Sequence, residues 1–390
     1  MSRLLQATIL FGMSVFFCLS SVNAVLAADD CADGTRLEQS FQSGASWVVC
    51  AQVSDLHALA VSSVHYRAPG DSLRSVLSQA QVAQVLMHYH DEQNAREQIG
   101  IADGARLLNW REQTCSGQQV LDGSGEPTIC SIIQQPRVLA RYAQQPSLLG
   151  SAWEISSSLQ RDGLVWLVSI TFGEDGQITP AVTLSGKARQ GTDPATTNRL
   201  PASGQRLARA TVLATWRLAF DLDGGSADNV KQFDFVLDPE DGNRRPMQIT
   251  QMDSERFSNV QRDDFRGWLV SDPILDTGYY LDPSNSGFSY VAMPDNWTQY
   301  DLAVTTNKPC ERYASGNQTN AADSTDTCGD TLDDFVNAEP LDSVSPVLWY
   351  SQSRTFNPGN EDWPVISHFR QAFTLLPYDW TSASPFEVVE

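Results

Sequence analysis

Apolar positions along this chain gather in short runs of β-branched and aromatic residues separated by Gly, Asp and Pro, and helical periodicity is weak. The clearest runs are 46–53, 164–172, 178–184, 211–222, 233–237 and 288–293, each of strand length. Residues 71–84 and 331–335 each read as a short helix or turn, although neither has both caps. Many short strands with turn signals between them and no internal repeat predict a mainly β protein, a large antiparallel β-sandwich.

The first residues follow another pattern. Arg3, an apolar run over 9–19 and Val25-Leu26-Ala27 before Ala28 predict a secretory signal peptide over 1–27. The remainder, 28–390, is then one exported domain, periplasmic or extracellular. The apolar run falls short of the ~20 residues that cross a bilayer. Cys18 follows Phe17, where a lipoprotein site wants a small residue. No other segment is apolar enough to be a transmembrane span.

Charge narrows the partners. The chain carries 47 acids against 26 bases, a net charge of −21. Nucleic acid and anionic lipid both need a basic footprint, so neither is expected. Cationic amines are compatible with the balance, though solubility alone accounts for it. Cysteine use agrees with export. Setting Cys18 aside, the others fall in three neighbouring pairs: Cys31 with Cys50, Cys115 with Cys130, Cys310 with Cys328. Local disulfides are expected, although six cysteines allow fifteen pairings. No pair has the C-x-x-C spacing that zinc favours.

The far end of the chain carries the most specific motifs. Val347-Leu348-Trp349-Tyr350 leads into Glu361-Asp362-Trp363-Pro364-Val365, then Phe373, Leu375, Pro377 and Pro385. Upstream lie Leu302, Val304 and Thr305 with Glu311-Arg312-Tyr313 and Gly316; Arg266, Trp268 and Val270 with Gly278-Tyr279 and Pro283; and Trp216-Arg217-Leu218 with Asp221, Asp223 and Gly224. Nearer the start are Tyr66-Arg67, Tyr89-His90-Asp91, and Cys115 and Cys130 around Asp122-Gly123 and Pro127. In this order the motifs resemble the catalytic domain of the copper amine oxidases. That resemblance implies a β-sandwich, a bridge in the Cys115–Cys130 loop, and a dimer in which arms such as residues 223–262 embrace the partner.

The resemblance also implies copper and a tyrosine-derived quinone, and the residues for both are missing. Counted from Glu361, the third copper ligand falls at Thr355 or Phe356. Counted from Arg217, the H-x-H pair becomes Ala210-Thr211-Val212. The quinone tyrosine, about eleven residues before a D-G turn, becomes Ser151 or Ala152 counted from Asp162-Gly163, with Trp153 where a second tyrosine belongs. The base motif D-x-G-E matches best at Ile101-Ala102-Asp103-Gly104-Ala105. There Asp103 is one residue off, on the wrong face of a strand. The peripheral calcium ligands become Ala219-Phe220-Asp221 and Ser345. None of the five histidines (His57, His65, His88, His90, His368) falls at a ligand position.

Other candidates carry less. His88 and His90 share a strand face, half a metal site on a stretch the family uses as a surface turn, and no third ligand is evident. Asp221, Asp223 and Asp228 lack the calcium-loop spacing and read as a solvated hairpin. Asn296-Trp297-Thr298 and Asn317-Gln318-Thr319 match the glycosylation pattern. Trp153 reads as a ring filling space the cofactor vacated. The sequence reading is therefore a catalytically degenerate relative: no catalytic, cofactor or metal residues, no cofactor expected, and function as a binding or structural module. The second reading is a primary-amine oxidase whose ligands are displaced.

Overall fold

The structure, a computed structural model, describes residues 31, 34–90, 96–97, 105–111, 115–140, 148–225, 227–283, 296–316, 328–342 and 344–382. The expected leader over 1–27 and the expected strand over 288–293 lie outside these residues.

Along the chain run β1 (Thr35–Ser40), β2 (Ser46–Ser54), β3 (Ala58–Arg67), β4 (Arg74–Tyr89), β5 (Gln118–Val120), β6 (Ile129–Ala140) and β7 (Leu148–Arg161). There follow β8 (Leu164–Gly173), β9 (Ile178–Lys187), β10 (Ala210–Phe220), β11 (Asn229–Phe235), β12 (Met247–Gln251) and β13 (Arg256–Ser258). The last are β14 (Gly267–Ser271), β15 (Gly278–Asp282), β16 (Leu302–Thr306), β17 (Pro346–Phe356), β18 (Val365–Ala372) and β19 (Thr374–Tyr378). One nine-stranded sheet has the order β1-β2-β3-β4-β10-β17-β16-β13, with Arg96–Glu97 beside β4. A twelve-stranded sheet runs β12-β11-β14-β15-β19-β9-β8-β7-β6-β5, with β18 also on β9 and Arg106–Leu107 on β7. The pairings are antiparallel, as the alternating sequence runs predict.

One core lies between the sheets. Trp47, Tyr66 and Trp216 of the first meet Trp153, Trp166 and Phe172 of the second in a single cluster. Trp47 and Phe172 have ring centroids 5.0 Å apart, and Tyr350 meets Phe373 edge-on at 4.8 Å. Each fully buried side chain of this size contributes roughly 1.5–3 kcal/mol or more. Central β10 is buried at every position. Its Val212, Ala214, Trp216 and Leu218 enter the main core, while Leu213 and Ala219 join a second cluster with Trp297, Leu332, Phe335 and Trp349. Burial on both faces explains why this strand is mostly apolar, broken only by Thr211, Thr215 and Arg217.

The short helix expected at 331–335 is present as α1 (Leu332–Phe335), with Thr331 and Asp334 forming a capping box. The helix expected over 71–84 is not: that stretch enters β4. Val76, Leu77, Ala80 and Ala83 have a spacing that suits a helix, but β4 pairs with β3 on one side and β10 on the other. Two ladders of hydrogen bonds outweigh the weak propensity. All three local disulfides form, with Cα–Cα distances of 5.5, 5.8 and 6.0 Å. By the chain-entropy estimate each closed loop of this size is worth ~3 kcal/mol.

Candidate functional site

The three positions counted as copper ligands come together. Ala210 pairs with Tyr89 on β4 and Phe356 on β17, and Val212 lies two residues along the same face. Residues on one rung of an antiparallel ladder point the same way, so Ala210, Val212 and Phe356 form one inward patch. Their exposures are 0%, 0% and 5%. The register also resolves the open choice in β17. Phe356 faces inward, whereas Thr355 shares the opposite face with Thr211, their hydroxyl oxygens 3.5 Å apart. Phe356 packs edge-on against Phe369 at 5.7 Å. Phe369 pairs with Leu184, which pairs with Trp166, so the second sheet presents an apolar wall at this level. Methyl, isopropyl and phenyl groups offer no lone pair to a cupric ion. The residues present do not fit the metal.

The quinone register requires a correction. Ser151 and Trp153 sit at the Glu174 turn: the Ser151 N–H donates to Glu174 Oε2 at 2.8 Å, and Trp153 faces Phe172 at 5.5 Å. Trp153 Nε1 also donates to Ser131 Oγ at 2.8 Å, so this ring belongs to the core at that end. Two D-G turns flank β8. Asp162-Gly163 joins β7 to β8, and Asp175-Gly176 joins β8 to β9. Counting eleven back from the second gives Leu164 at the opposite end of β8, roughly 30 Å from the Glu174 turn at ~3.3 Å per residue. Leu164 pairs with Gly186, and Trp166, two residues on, pairs with Leu184 in the wall behind Phe369. Only this register brings the quinone position to the level of Ala210, Val212 and Phe356. Leucine, like serine, has no ring to oxidise. The signal that sequence reading passed over was the strand run at 164–172 directly ahead of the second turn.

The remaining candidates separate. Ala102 and Asp103 lie outside the described residues, as do Asp91 and Asn317. His90 Nε2 lies 2.9 Å from Thr211 Oγ1 on the outer face, and the rings of His88 and His90 are 6.1 Å apart. Burial, then the neighbouring His88 and Arg209, lowers the His90 pKa. Among the described residues no group of three His, Cys, Asp or Glu side chains is placed to hold a metal. Asn296 donates to Asp333 Oδ1 at 3.2 Å, and Thr298 of the same sequon is buried.

The hairpin aspartates are not a solvated set, which corrects the expectation. Asp223 takes a bidentate ion pair from Arg74, at 2.6 and 2.5 Å, and that guanidinium lies 4.0 Å above the Trp380 ring. Ser75 donates to Asp221 at 3.2 Å. Asp228 is only 3% exposed and accepts the Leu222 N–H at 3.0 Å. Burial pushes its pKa up to about 7, with Asp272, Asp221 and Asp223 adding repulsion.

The comparisons agree with this architecture. The copper amine oxidase enzyme domain matches residues 166–389, and the chain belongs to that family. Among solved structures, a copper-containing benzylamine oxidase from Hansenula polymorpha is similar with a TM-score of 0.67 and 15% identity, over 89% of this chain and 60% of that one. An Aspergillus nidulans amine oxidase gives 0.68 and 14%, over 97% and 56%. A Pichia pastoris lysyl oxidase gives 0.69 and 13%, over 87% and 52%. At these identities the likeness shows the fold. The chain spans little more than half the length of these proteins. No curated protein sequence matches it at a significant level.

Proposed function

We propose that this chain is an exported amine oxidase-family domain that has given up oxidase chemistry and works as a binding or structural module. The observation that carries the reading is the inward patch of Ala210, Val212 and Phe356, closed by Phe369. A copper site needs imidazoles converging on one point. Leu164 at the quinone position supports the same reading, because the cofactor needs a phenol. The purified protein is expected to hold no stoichiometric copper and to fail a redox-cycling quinone stain. One copper per chain with a positive stain would restore the reading of an oxidase with displaced residues.

Export is supported by the leader pattern and by three disulfides, which belong to oxidising compartments. Among the described residues no helix is long and apolar enough to cross a membrane. The apolar filling behind Phe356 favours function through the outer surface over an internal channel for cationic amines.

A homodimer is part of the proposal. The hairpin of β11 and β12 lies within residues 223–262, and β12 is exposed along its length with Met247 and Ile249 bare. On another hairpin, Val138 and Leu149 pair across β6 and β7, 58% and 57% exposed. Exposed apolar strands of this kind need covering. Sedimentation at micromolar concentration should give a dimer mass, reduced to monomer by Ile249→Lys. A clean monomer for the native chain would remove the dimer.

A further inference from the structure

The outer face of the first sheet holds a basin of opposite sign to the rest of the molecule. A cavity of about 490 Å³ opens between β2, β3, β4, β10 and the 307–312 segment. Arg217, Gln79, Ser62 and Ser78 line it with Arg312 and Asn307, and none of the described lining residues is acidic. That is notable in a chain of net charge −21.

Arg217 is the unusual group. It is 2% exposed, yet its guanidinium has only neutral partners. Nε donates to the Glu311 carbonyl at 2.8 Å, Nη1 to Gln79 Oε1 at 3.0 Å and Nη2 to Asn307 Oδ1 at 2.7 Å. Trp349 lies against it at 5.5 Å. A guanidinium has five N–H donors, so two are left over from these three bonds, and among the described residues no carboxylate lies at ion-pair distance from it. Burial draws its pKa down to about 10, the charge of Glu311 offsetting part of that and Arg312 adding repulsion. The Glu311 carboxylate makes its ion pair with Lys308, at 3.7 Å. A buried cation without a close ion pair is costly. Ser62, Ser63 and Asn307 add hydroxyl and amide groups to the same lining.

We propose that this basin binds a small oxyanion, a carboxylate or phosphate group on a compact molecule, with Arg217 as the buried counter-charge and Arg312 at the rim. A planar guanidinium matches both groups through paired N–H donors. The site is independent of the oxidase patch: it lies on the outer face of β10, whereas Ala210 and Val212 face inward. A purely structural Arg217, fastening β10 to the 307–312 segment, is the competing account.

Calorimetry at low salt with malonate, inorganic phosphate and spermidine separates the two. The native chain should bind malonate or phosphate at millimolar concentration or below, with affinity falling as salt is added, and should give no heat with spermidine. Which anion binds more tightly identifies the headgroup. Asn307→Asp puts a fixed carboxylate on the oxygen that Arg217 already contacts. It should raise the melting temperature and cut anion affinity by at least about tenfold. Arg312→Gln, on an exposed side chain, should also weaken binding, while Arg199→Gln in the groove beside Pro358 should not. No binding of either anion by the native chain, or undiminished binding in both Asn307→Asp and Arg312→Gln, overturns the proposal.

Discussion

Histidines placed together at 210, 212 and 356 should give this chain a copper site. Side chains at 210 and 212 leave the same face of β10, and 356 stands on the rung of 210, where opposed Cβ atoms are ~4.5–5.5 Å apart. Imidazoles on these three stems reach a shared point at copper–nitrogen distances, and cupric ion is the divalent first-row metal such a set prefers. The unloaded variant should be less stable than the native chain, because Phe356 and Val212 are core groups and large-to-small or polar replacements cost roughly 1–5 kcal/mol. Copper should restore it: at a thousandfold excess over the dissociation constant, binding adds about 4 kcal/mol. The decisive control moves one histidine by one residue. With Thr355→His in place of Phe356→His, the third imidazole faces the Thr211 side of the sheet. Metal analysis and the copper resonance spectrum should show about one bound ion in the first variant and none in the second. Equal uptake by both, or by neither, would mean that the ligand patch has been placed on the wrong residues.

Much of this was legible because the relevant positions sit close to unmistakable anchors. Val212 is five residues from Arg217 and Phe356 five from Glu361, so counting errors had little room to grow. Strands such as β8 and β9 showed themselves through tightly spaced Val, Ile, Thr and Phe between turns. β4 hid because its Ser and Gln residues interrupt the apolar positions at near-helical spacing, and only pairing on both sides decides its conformation. The quinone position was ambiguous for a different reason. Asp162-Gly163 and Asp175-Gly176 are equivalent as sequence, and the choice rests on which end of β8 faces Phe369. The basin around Arg217 was beyond sequence reading altogether. Its residues come from four strands and a distant segment, and its meaning lies in a buried guanidinium held by neutral acceptors, which no local pattern encodes.

Stability should fall as pH rises from about 4 to 7, against the usual behaviour of an acidic fold. Three carboxyls are held protonated by burial: Asp228 and Glu311 each with a pKa pushed up to about 7, and Asp301 to about 6. In the unfolded chain such groups ionise near pH 4. Between those limits the native state holds protons that the unfolded state has released, and stability declines wherever the native state binds more. The contribution is complete below about pH 4 and lost as pH passes the folded values. His57 opposes it. Burial, helped by Arg312, lowers its pKa to about 4, so its effect runs the other way between about pH 4 and 6.5. His90, its pKa also lowered, acts in the same sense as His57, and three carboxyls against two imidazoles leave a net decline. Asp228 offers the clearest test, because its Oδ1 is buried without a partner while Oδ2 accepts from Leu222. Asp228→Asn keeps the acceptor, removes the ionisation and gives a donor facing Asp272 and its neighbours. A shift of this size is worth at most ~4 kcal/mol, and relaxation of the site should leave a gain of about 2 kcal/mol at pH 8. At ~2.1 cal/mol/K per residue that is roughly 3 °C in melting temperature. At about pH 3.5 the carboxyl is neutral in most of both the folded and unfolded states, so there the variant should melt with the native chain. A gain of equal size at both pH values would mean that packing, and not a buried proton, sets the difference.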